Sequence, residues 1–182
     1  MIPSTDFTRE YDLVVLGGGP AGIYGATTAS LYGKRVALVH RHHELGGADV
    51  NTGTVPSKTL RETALALSGI RARRLIGVDL SVRRETTVGD FLRHERQVKA
   101  GLNALLAQRL AAFKTDLYCG AGSFVNPHTV RVRPPSAETP HSPSRVASGE
   151  DLLHADYVLI ATGSAPVHPP IFPFDAPNVY DS

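Results

Sequence analysis

Cysteine is nearly missing from this sequence of 182 residues, which has one cysteine, one methionine and no tryptophan. A single cysteine excludes an intrachain disulfide and any CxxC metal or redox motif. No stretch reaches the roughly 18 consecutive apolar residues that a membrane-spanning helix needs. The first ten residues are polar and carry Asp6 and Glu10, so they resemble neither a signal peptide nor a transit peptide. These absences predict a cytoplasmic location and no membrane partner.

The sequence also lacks an excess of either charge, because its net charge is only +2. The one basic cluster lies between residues 70 and 86 and has no interleaved aromatic side chains; it consists of Arg71, Arg73, Arg74, Arg83 and Arg84. That pattern favours a solvated loop, so no nucleic-acid partner is predicted. Apolar residues make up 42% and charged residues 20% of the chain, which is typical of a globular domain with a sizeable core.

The first forty residues predict one βαβ unit. Residues 11–16 form a short apolar run typical of a buried strand, and three glycines follow it. Residues 20–32 are small or apolar and predict a helix, with Gly33 as its C-cap. Residues 35–40 then predict a second strand. Strand, helix and strand within about 30 residues are the βαβ unit of a parallel sheet.

The remaining residues extend this pattern to an α/β fold. We expect a glycine-rich loop over 40–58, a helix starting near Pro56, a loop over 70–86 and a long amphipathic helix from Val88 to Phe113. Short strands follow at 116–119, 122–125 and 129–132, then a mobile Pro- and Ser-rich loop at 134–150 and a strand at 156–161. The prediction is a Rossmann-like open parallel sheet flanked by helices, with a small antiparallel β excursion between 116 and 133.

The glycines after the first strand match the pattern GxGxxG at Gly17, Gly19 and Gly22. The first glycine allows a tight turn, the second lets a pyrophosphate approach the backbone, and the third lets the helix pack closely on the strand. Pro20 and Ala21 open the helix, whose N-terminus offers free N–H groups to an anion. The alternative is an incidental glycine turn. The strand before the motif and the helix and strand after it favour the dinucleotide site.

The end of the second strand departs from the usual dinucleotide site. A carboxylate normally binds the ribose hydroxyls there, but this chain has His40 followed by Arg41. A neutral imidazole accepts one hydrogen bond where a carboxylate accepts two, so we expect weaker binding. Residues 40–44, HRHHE, also raise the alternative of a metal site. Adjacent histidines on a loop lack defined ligand geometry, so no metal is predicted.

Three motifs together resemble one protein family. They are GGGPAG at residues 17–22, LGGADVNTGTVPSK at 45–58 and VLIATGSAP at 158–166. Their order and spacing resemble the FAD-binding domain of the pyridine nucleotide-disulfide oxidoreductases, over almost the whole chain from Tyr11 to Ser182. Within that family, residues 50–62 are most similar to the soluble pyridine nucleotide transhydrogenase branch.

The resemblance implies roles for the matching positions. Gly17, Gly19 and Gly22 would hold the FAD pyrophosphate, and His40 stands where the family has its ribose-binding glutamate. Thr54 would lie against the flavin ring and Lys58 near its N5–O4 edge, where a positive charge favours the reduced flavin. The other implied cofactor contacts are Pro20, Ala21, Arg41, Gly46, Gly47, Ala48, Asp49, Gly122, Ala161, Thr162 and Gly163.

Two positions differ from the disulfide reductases of the family. Asp49 and Thr54 stand where those enzymes have their two redox cysteines, so the usual dithiol route is excluded. If Asp49 is ionised beside the flavin, it would disfavour negative charge on the reduced ring. Alternatively, Asp49 only caps the local turn. Asp49, Thr54 and Lys58 are flavin-adjacent candidates, and no residue is assigned a catalytic role with certainty.

The family continues beyond this length with a NAD(P)-binding domain, a return segment that completes the FAD site, and a dimerisation domain. Residues 1–182 are therefore expected to be the FAD-binding domain alone, from a truncated gene, a fragment or a separately encoded module. The resemblance implies a hydride relay from NADPH through FAD to NAD in the complete protein. NAD(P) would then bind only through the other domains, and a homodimer would need the C-terminal one. The alternatives are a non-catalytic FAD-binding module or inactive remnant, and another flavoprotein reductase without the redox disulfide.

Overall fold

The computed structural model describes residues 8–68, 87–134, 145–146, 150–177 and 179. Within these ranges the elements, in chain order, are β1 (Thr8–Leu16), α1 (Pro20–Leu31), β2 (Val36–His40), α2 (Gly47–Asn51), α3 (Thr54–Leu67), α4 (Val88–Ala112), β3 (Asp116–Cys119), β4 (Ala121–Asn126), β5 (Thr129–Arg133), β6 (Arg145–Val146) and β7 (Asp151–Ile160). The predicted arginine loop at 70–86 lies outside the described residues.

The described strands form one sheet in the order β4-β5-β7-β1-β2-β3-β6. Neighbours from β7 to β6 are parallel, and β1 pairs with β7 along its whole length. Strand β5 is antiparallel to both of its neighbours, β4 and the start of β7. The predicted α/β class, with a parallel sheet and an antiparallel excursion, is confirmed.

Two details of the predicted sheet were wrong. Residues 116–119 were assigned to the antiparallel excursion, but β3 lies beside β2 in the parallel sheet. The helix α4 returns the chain to the same end of the sheet, which makes the next strand parallel. The last strand was expected at 156–161, but β7 starts at Asp151. Its first residues pair with β5 as well as β1. They alternate partly exposed Leu152 and His154 with buried Leu153 and Ala155, because successive side chains of a strand point to opposite faces of the sheet.

The sheet has a separate apolar core on each face. On one face, Ile23 and Ala26 of α1 and Leu110 of α4 pack on side chains of the central strands, such as Val15 and Leu38. On the other face β5 folds back over the sheet and buries an apolar set with β7, consisting of Tyr11, Val14, Leu16, Ala37, Val39, Tyr118, Val130, Val132, Leu153 and Ala155. Each fully buried Val or Leu stabilises the fold by roughly 1.5–3 kcal/mol.

The helices follow their sequence signals with one exception. Helix α1 ends at Leu31 with Gly33 at φ +77° just beyond it, as the predicted C-cap requires. Helix α4 begins with a capping box between Thr87 and Asp90. The predicted loop over 40–58 instead contains the short helix α2, and α3 begins at Thr54, two residues before Pro56. No described helix is both long enough and apolar enough to cross a membrane.

Most of the predicted loop at 134–150 lies outside the described residues. The exception is a short strand within it, since Arg145–Val146 pairs with Tyr118 and Cys119 of β3. The Pro-rich stretch after β7 forms turns and irregular structure, as its prolines predict. Cys119 is buried on β3, and burial raises the pKa of its thiol, so it fits the predicted role of a small core residue.

Candidate functional site

The glycine turn lies where β1 ends, beside the carboxyl ends of β2 and β7. Gly17 has φ +115° and donates its N–H to the Val39 carbonyl at 2.8 Å. A Cβ on Gly17 would overlap the carbonyl oxygen of Ala161, and a Cβ on Gly22 would overlap the carbonyl oxygen of Gly17. The first and third glycines of the motif are therefore required by close backbone packing, as predicted.

The second glycine of the motif is different. Gly19 has φ −80°, which any residue adopts, and the nearest atom to a Cβ built there is the Cα of Gly47 at 3.9 Å. Packing within the described chain therefore does not require glycine at this position. A side chain on Gly19 would instead cover the mouth of the turn, where a pyrophosphate must approach the backbone.

Backbone amides are left without partners at this turn. Gly19 is the N-cap of α1 and supplies no side-chain cap, Pro20 occupies the first turn, and that turn carries no acidic residue. The amides of Gly19, Ala21 and Gly22 make no hydrogen bond within the described parts of the chain. Unpaired amides and the positive end of the helix dipole favour an anion at this position. The turn thus fits a dinucleotide diphosphate.

The loop before α2 packs directly on the turn. Gly46 has φ +94° and donates its N–H to the Gly18 carbonyl at 2.7 Å. Gly47 has φ +55°, and a Cβ on it would lie 3.0 Å from the Cα of Gly19. The predicted flavin-side glycines and the predicted phosphate-side glycines therefore form one continuous backbone surface.

His40 lies beneath this surface. Its Nδ1 accepts a hydrogen bond from the Gly18 N–H at 3.1 Å, and its Nε2 lies 2.8 Å from the Glu44 carbonyl. Burial lowers the pKa of His40, although the bond to Glu44 opposes that effect. Both ring nitrogens are thus engaged within the protein. A ribose hydroxyl would have to displace Gly18 or Glu44, and ribose binding by His40 stays a prediction.

The flavin-adjacent candidates lie on α2 and α3. Asp49, Thr54 and Lys58 are all exposed, and Thr54 and Lys58 share a face of α3 because they are four residues apart. Helix α2 has no side-chain cap bond, and the Asp49 carboxylate makes no hydrogen bond or ion pair with any described residue. The capping alternative for Asp49 is therefore not supported by a hydrogen bond. Contact of these three residues with a flavin stays a prediction.

The predicted residues on β4 and after β7 also reach the turn. Gly122 packs over the carboxyl ends of β1 and β2, because a Cβ there would lie 2.8 Å from Leu16 and 3.3 Å from Val39. Ala161 donates its N–H to the Leu16 carbonyl at 2.9 Å, next to Gly17. Thr162 and Gly163 follow Ala161 and are exposed, with Gly163 at φ +72°. The structure thus brings the three motifs to one edge of the sheet.

The metal-site alternative for residues 40–44 gains no support from the loop geometry. The two nitrogens of His40 are bonded to backbone groups, and Arg41, which is exposed, donates from Nε to His42 Nε2 at 2.9 Å. In the described residues, no three His, Cys, Asp or Glu side chains are grouped as metal ligands would be.

A cavity of about 530 Å³ lies away from these residues, between α4 and β3. It is lined by Ala104, Ala107, Gln108, Leu110, Ala111, Thr115, Asp116, Leu117 and Tyr118. None of its lining groups belongs to the three motifs. Unpaired backbone amides that suit an anion lie at the open glycine turn, so the turn rather than this cavity is the candidate site.

Sequence analysis missed the residues that support the site from below. Asn51 donates to the carbonyls of Leu45 and Gly47 at 2.9 and 3.0 Å, and Asn103 of α4 donates to Asn51 Oδ1 at 3.1 Å. Gly18 was also passed over, although its N–H and C=O are both bonded. Asn51 lies within the second motif, at residues 45–58 and four residues after Gly47, but its partner Asn103 is 52 residues away and has no local signal.

The fold and the glycine turn define a Rossmann-type dinucleotide-binding domain. The family model described as pyridine nucleotide-disulphide oxidoreductase matches residues 11–180, and the chain belongs to that family. It is 38% identical over 174 residues to a soluble pyridine nucleotide transhydrogenase of Mycobacterium bovis (strain BCG / Pasteur 1173P2), covering 96% of this chain and 35% of the relative. A protein of the same name from Pectobacterium atrosepticum is 30% identical, with 95% and 34% covered. The predicted resemblance is confirmed, and the chain spans about a third of these relatives' length.

Solved structures show the same fold. The HOCl-induced flavoprotein disulfide reductase RclA from Escherichia coli matches with a TM-score of 0.69 and 26% identity, covering 93% of this chain and 32% of that one. Its Cu(II) complex matches with a TM-score of 0.66 and 27% identity, covering 90% and 31%. The chain is thus an oxidoreductase-family domain whose structural neighbours include flavoproteins.

Proposed function

We propose that this chain is the FAD-binding part of a flavoprotein oxidoreductase that moves hydride between nicotinamide dinucleotides. The observation that carries the proposal is the turn at Gly19, where unpaired amides meet an open approach to the backbone. Gly47 and Ala161 lie beside that turn, so one extended ligand could touch all three motifs. The family model and the structural neighbours, which are named as flavoproteins, support FAD as that ligand.

Each part of the proposed site has a separate task. The amides of Gly19, Ala21 and Gly22 would bind the diphosphate, and the backbone from Gly46 to Asp49 would continue toward the flavin. Thr54 and Lys58 would lie beside the ring. When bound, the flavin supplies two-electron chemistry, accepting hydride from a reduced nicotinamide dinucleotide and giving it to an oxidised one. The chain's own residues orient it and tune its charge.

A dithiol step is not part of this proposal. Cys119 is the only cysteine of the 182 residues, and it is buried on β3. Asp49 and Thr54 cannot replace a redox disulfide, because neither side chain forms a sulfur–sulfur bond. Direct hydride transfer needs no such group, which favours transhydrogenation over disulfide reduction.

The test has two stages. First, the purified chain is titrated with FAD and its visible spectrum recorded after removal of free FAD; retained flavin bands are expected. Second, the chain is fused to the C-terminal two thirds of the Mycobacterium bovis relative and assayed for hydride transfer from NADPH to NAD⁺. We expect activity from the fusion and none from the chain alone. A fusion that retains flavin but transfers no hydride would remove the transhydrogenase proposal.

Two other functions are separated by the same experiments. A non-catalytic module or inactive remnant is favoured by Asp49, which is exposed and whose carboxylate has no partner among the described residues. The hypothesis of an inactive remnant predicts that the chain shows no flavin bands, or that the fusion binds flavin without activity.

The second alternative, another flavoprotein reductase, is favoured by the likeness to the RclA fold. It predicts that the fusion reduces quinone or ferricyanide but not NAD⁺.

A further inference from the structure

The two hydrogen bonds of His40 fix the state of its ring. An amide N–H can only donate, so the Nδ1 that accepts from Gly18 carries no proton. A carbonyl can only accept, so the Nε2 that contacts Glu44 carries the proton. The ring is therefore neutral, and each nitrogen has the one kind of partner that this tautomer satisfies. With 8% of its surface exposed, His40 has little access to water as a replacement partner.

The ring also fixes Gly18 sterically. A Cβ on Gly18 would lie 2.8 Å from His40 Cγ and 2.9 Å from Leu45 Cδ2. The Gly18 carbonyl is held from the other side by the Gly46 N–H at 2.7 Å. Both backbone groups of Gly18 are thus bound, and Gly18 lies between the two glycines that shape the diphosphate turn. The position of His40 therefore sets the position of the turn.

A second proton would break this arrangement. It would go to Nδ1, where it would face the Gly18 N–H, and two donors cannot bond to each other. The charged and titratable neighbours on the same loop are Arg41, His42, His43 and the Glu44 carboxylate, which is paired with Lys99 of α4 at 3.3 Å. The paired residue on β3 is Cys119, an uncharged thiol, and the turn from Gly17 to Gly22 contributes no titratable side chain.

We propose that His40 is a positioning residue for dinucleotide binding: its neutral ring holds Gly18 and the turn in the binding conformation, and protonation of the ring releases the cofactor. The proposal rests on the proposed FAD site. In this proposal His40 does not contact the ribose directly. Its ring acts on the diphosphate through the backbone of Gly18.

The first test compares two matched variants of the full 182-residue chain, His40→Asn and His42→Asn. FAD affinity is measured by fluorescence titration from about pH 5 to about pH 8, the range over which histidine titrates. Asn at position 40 offers an acceptor to the Gly18 N–H and does not titrate. His42 is an exposed histidine on the same loop, whose ring centroid lies 5.7 Å from that of His40.

The expected result is a difference in pH dependence. The unaltered chain and His42→Asn lose affinity by about tenfold for each pH unit below the midpoint of the His40 titration, as one-proton linkage requires. His40→Asn binds within about tenfold of the unaltered chain at pH 8, the factor that one lost hydrogen bond gives, and shows no such loss in acid. An acid loss in His40→Asn equal to that of the unaltered chain would overturn the proposal.

A second measurement does not need FAD. Nitrogen-15 NMR of the histidine rings reports the tautomer of His40, and the Gly18 amide signal is followed over the same pH range. We expect a protonated Nε2 at about pH 8 and a Gly18 signal that titrates together with His40. A protonated Nδ1, or a Gly18 signal that ignores the His40 titration, contradicts the proposal. If the unaltered chain binds no FAD at pH 8, the proposed function fails, and NMR alone decides whether His40 holds the turn.

Discussion

The two ends of the same parallel strands are built from different chemistry. At the amino end, the Tyr11 hydroxyl donates to the Asp116 carboxylate at 2.7 Å and lies 2.8 Å from the Tyr118 hydroxyl. The Arg9 guanidinium lies over the Tyr118 ring, 5.8 Å from its centroid. At the carboxyl end, the backbone of Gly19 and Ala21 presents amides with no partner in the described residues.

The comparison indicates that the amino end of the strands serves stability and the carboxyl end serves ligand binding. At the amino end, the hydroxyls of Tyr11 and Tyr118 and the carboxylate of Asp116 satisfy one another, so these polar groups close the core. The carboxyl end keeps donors unpaired and removes side chains around them, which costs stability in the free chain and creates an anion site. Substitutions at the amino end should therefore lower stability and spare FAD binding, whereas substitutions at the carboxyl end should lower FAD binding, and stability as well where they disturb backbone packing.

The largest effect is expected from Gly22→Ala, which disturbs both properties. The new Cβ would overlap the carbonyl oxygen of Gly17, a backbone atom that cannot rotate aside as the end of a flexible side chain can. We expect a loss of about 3–5 kcal/mol in the free energy of unfolding, measured by urea denaturation. Gly25→Ala is the control, since its Cβ meets only the end of the Leu159 side chain and should cost about 1 kcal/mol. Equal losses in the two variants would contradict the close packing at Gly22.

The next effect, from Gly19→Val, should affect binding and spare the fold. The Cβ position is open and φ is −80°, so the free chain accommodates a side chain there. We expect FAD affinity to fall by roughly a hundredfold, or about 3 kcal/mol, with an unchanged urea midpoint in the absence of FAD. Gly101→Ala on α4 is the matched control, because no atom lies within 4 Å of its Cβ. Full FAD affinity in Gly19→Val would remove the diphosphate site from this turn.

Tyr11→Phe should give the reverse result at the amino end. It leaves the Tyr118 hydroxyl and the Asp116 carboxylate each without one partner, so we expect a loss of about 1–3 kcal/mol in unfolding free energy. FAD affinity should stay within about twofold, a change below 0.5 kcal/mol. Tyr32→Phe, at an exposed tyrosine, is the control. A large loss of FAD affinity in Tyr11→Phe would show that the two ends are not independent.

The raised pKa of Tyr11 should also make the free energy of unfolding depend on pH in alkaline solution. Burial and the bonds to Tyr118 and Asp116 raise the pKa of Tyr11 far above its ordinary value. The unfolded chain loses the Tyr11 proton above about pH 10 while the folded chain keeps it, so the folded state loses stability as the pH rises. The stability gap between the unaltered chain and Tyr11→Phe should therefore narrow above about pH 10. A constant gap in alkaline urea titrations would contradict the raised pKa.

Much of the carboxyl end could be predicted from sequence because its signals are local. Gly17, Gly19 and Gly22 lie in one motif, and the strand before and helix after it follow from short apolar runs. The requirement at Gly17 and Gly22 is a property of backbone packing that recurs wherever a strand turns into a helix at this angle. The class of fold followed from the same residues.

The contacts that could not be predicted from the sequence join residues that are far apart in the chain. Tyr11 and Asp116 are 105 residues apart, and nothing near either position indicates the other. His40 is predicted to contact the ribose because its position in the chain is that of the family's glutamate, and this contact stays a prediction. Its ring is occupied by Gly18 and Glu44, a result of loop geometry that only the folded backbone determines. The short helix α2 was not predicted, because the glycines at its start are typical of a loop.

The smallest expected effect concerns charge beside the flavin, at Asp49 and Lys58. Both side chains are exposed, so water screens their charges and the effect on the flavin is limited. Asp49→Asn removes a negative charge and should raise the midpoint potential of bound FAD, whereas Lys58→Met removes a positive charge and should lower it. Shifts of about 10–30 mV are expected, since 30 mV corresponds to about 1.4 kcal/mol for a two-electron couple. Spectroelectrochemical titration measures both. Two shifts of the same sign, or an unchanged potential in Asp49→Asn, would place these residues away from the ring and limit the carboxyl-end site to the diphosphate.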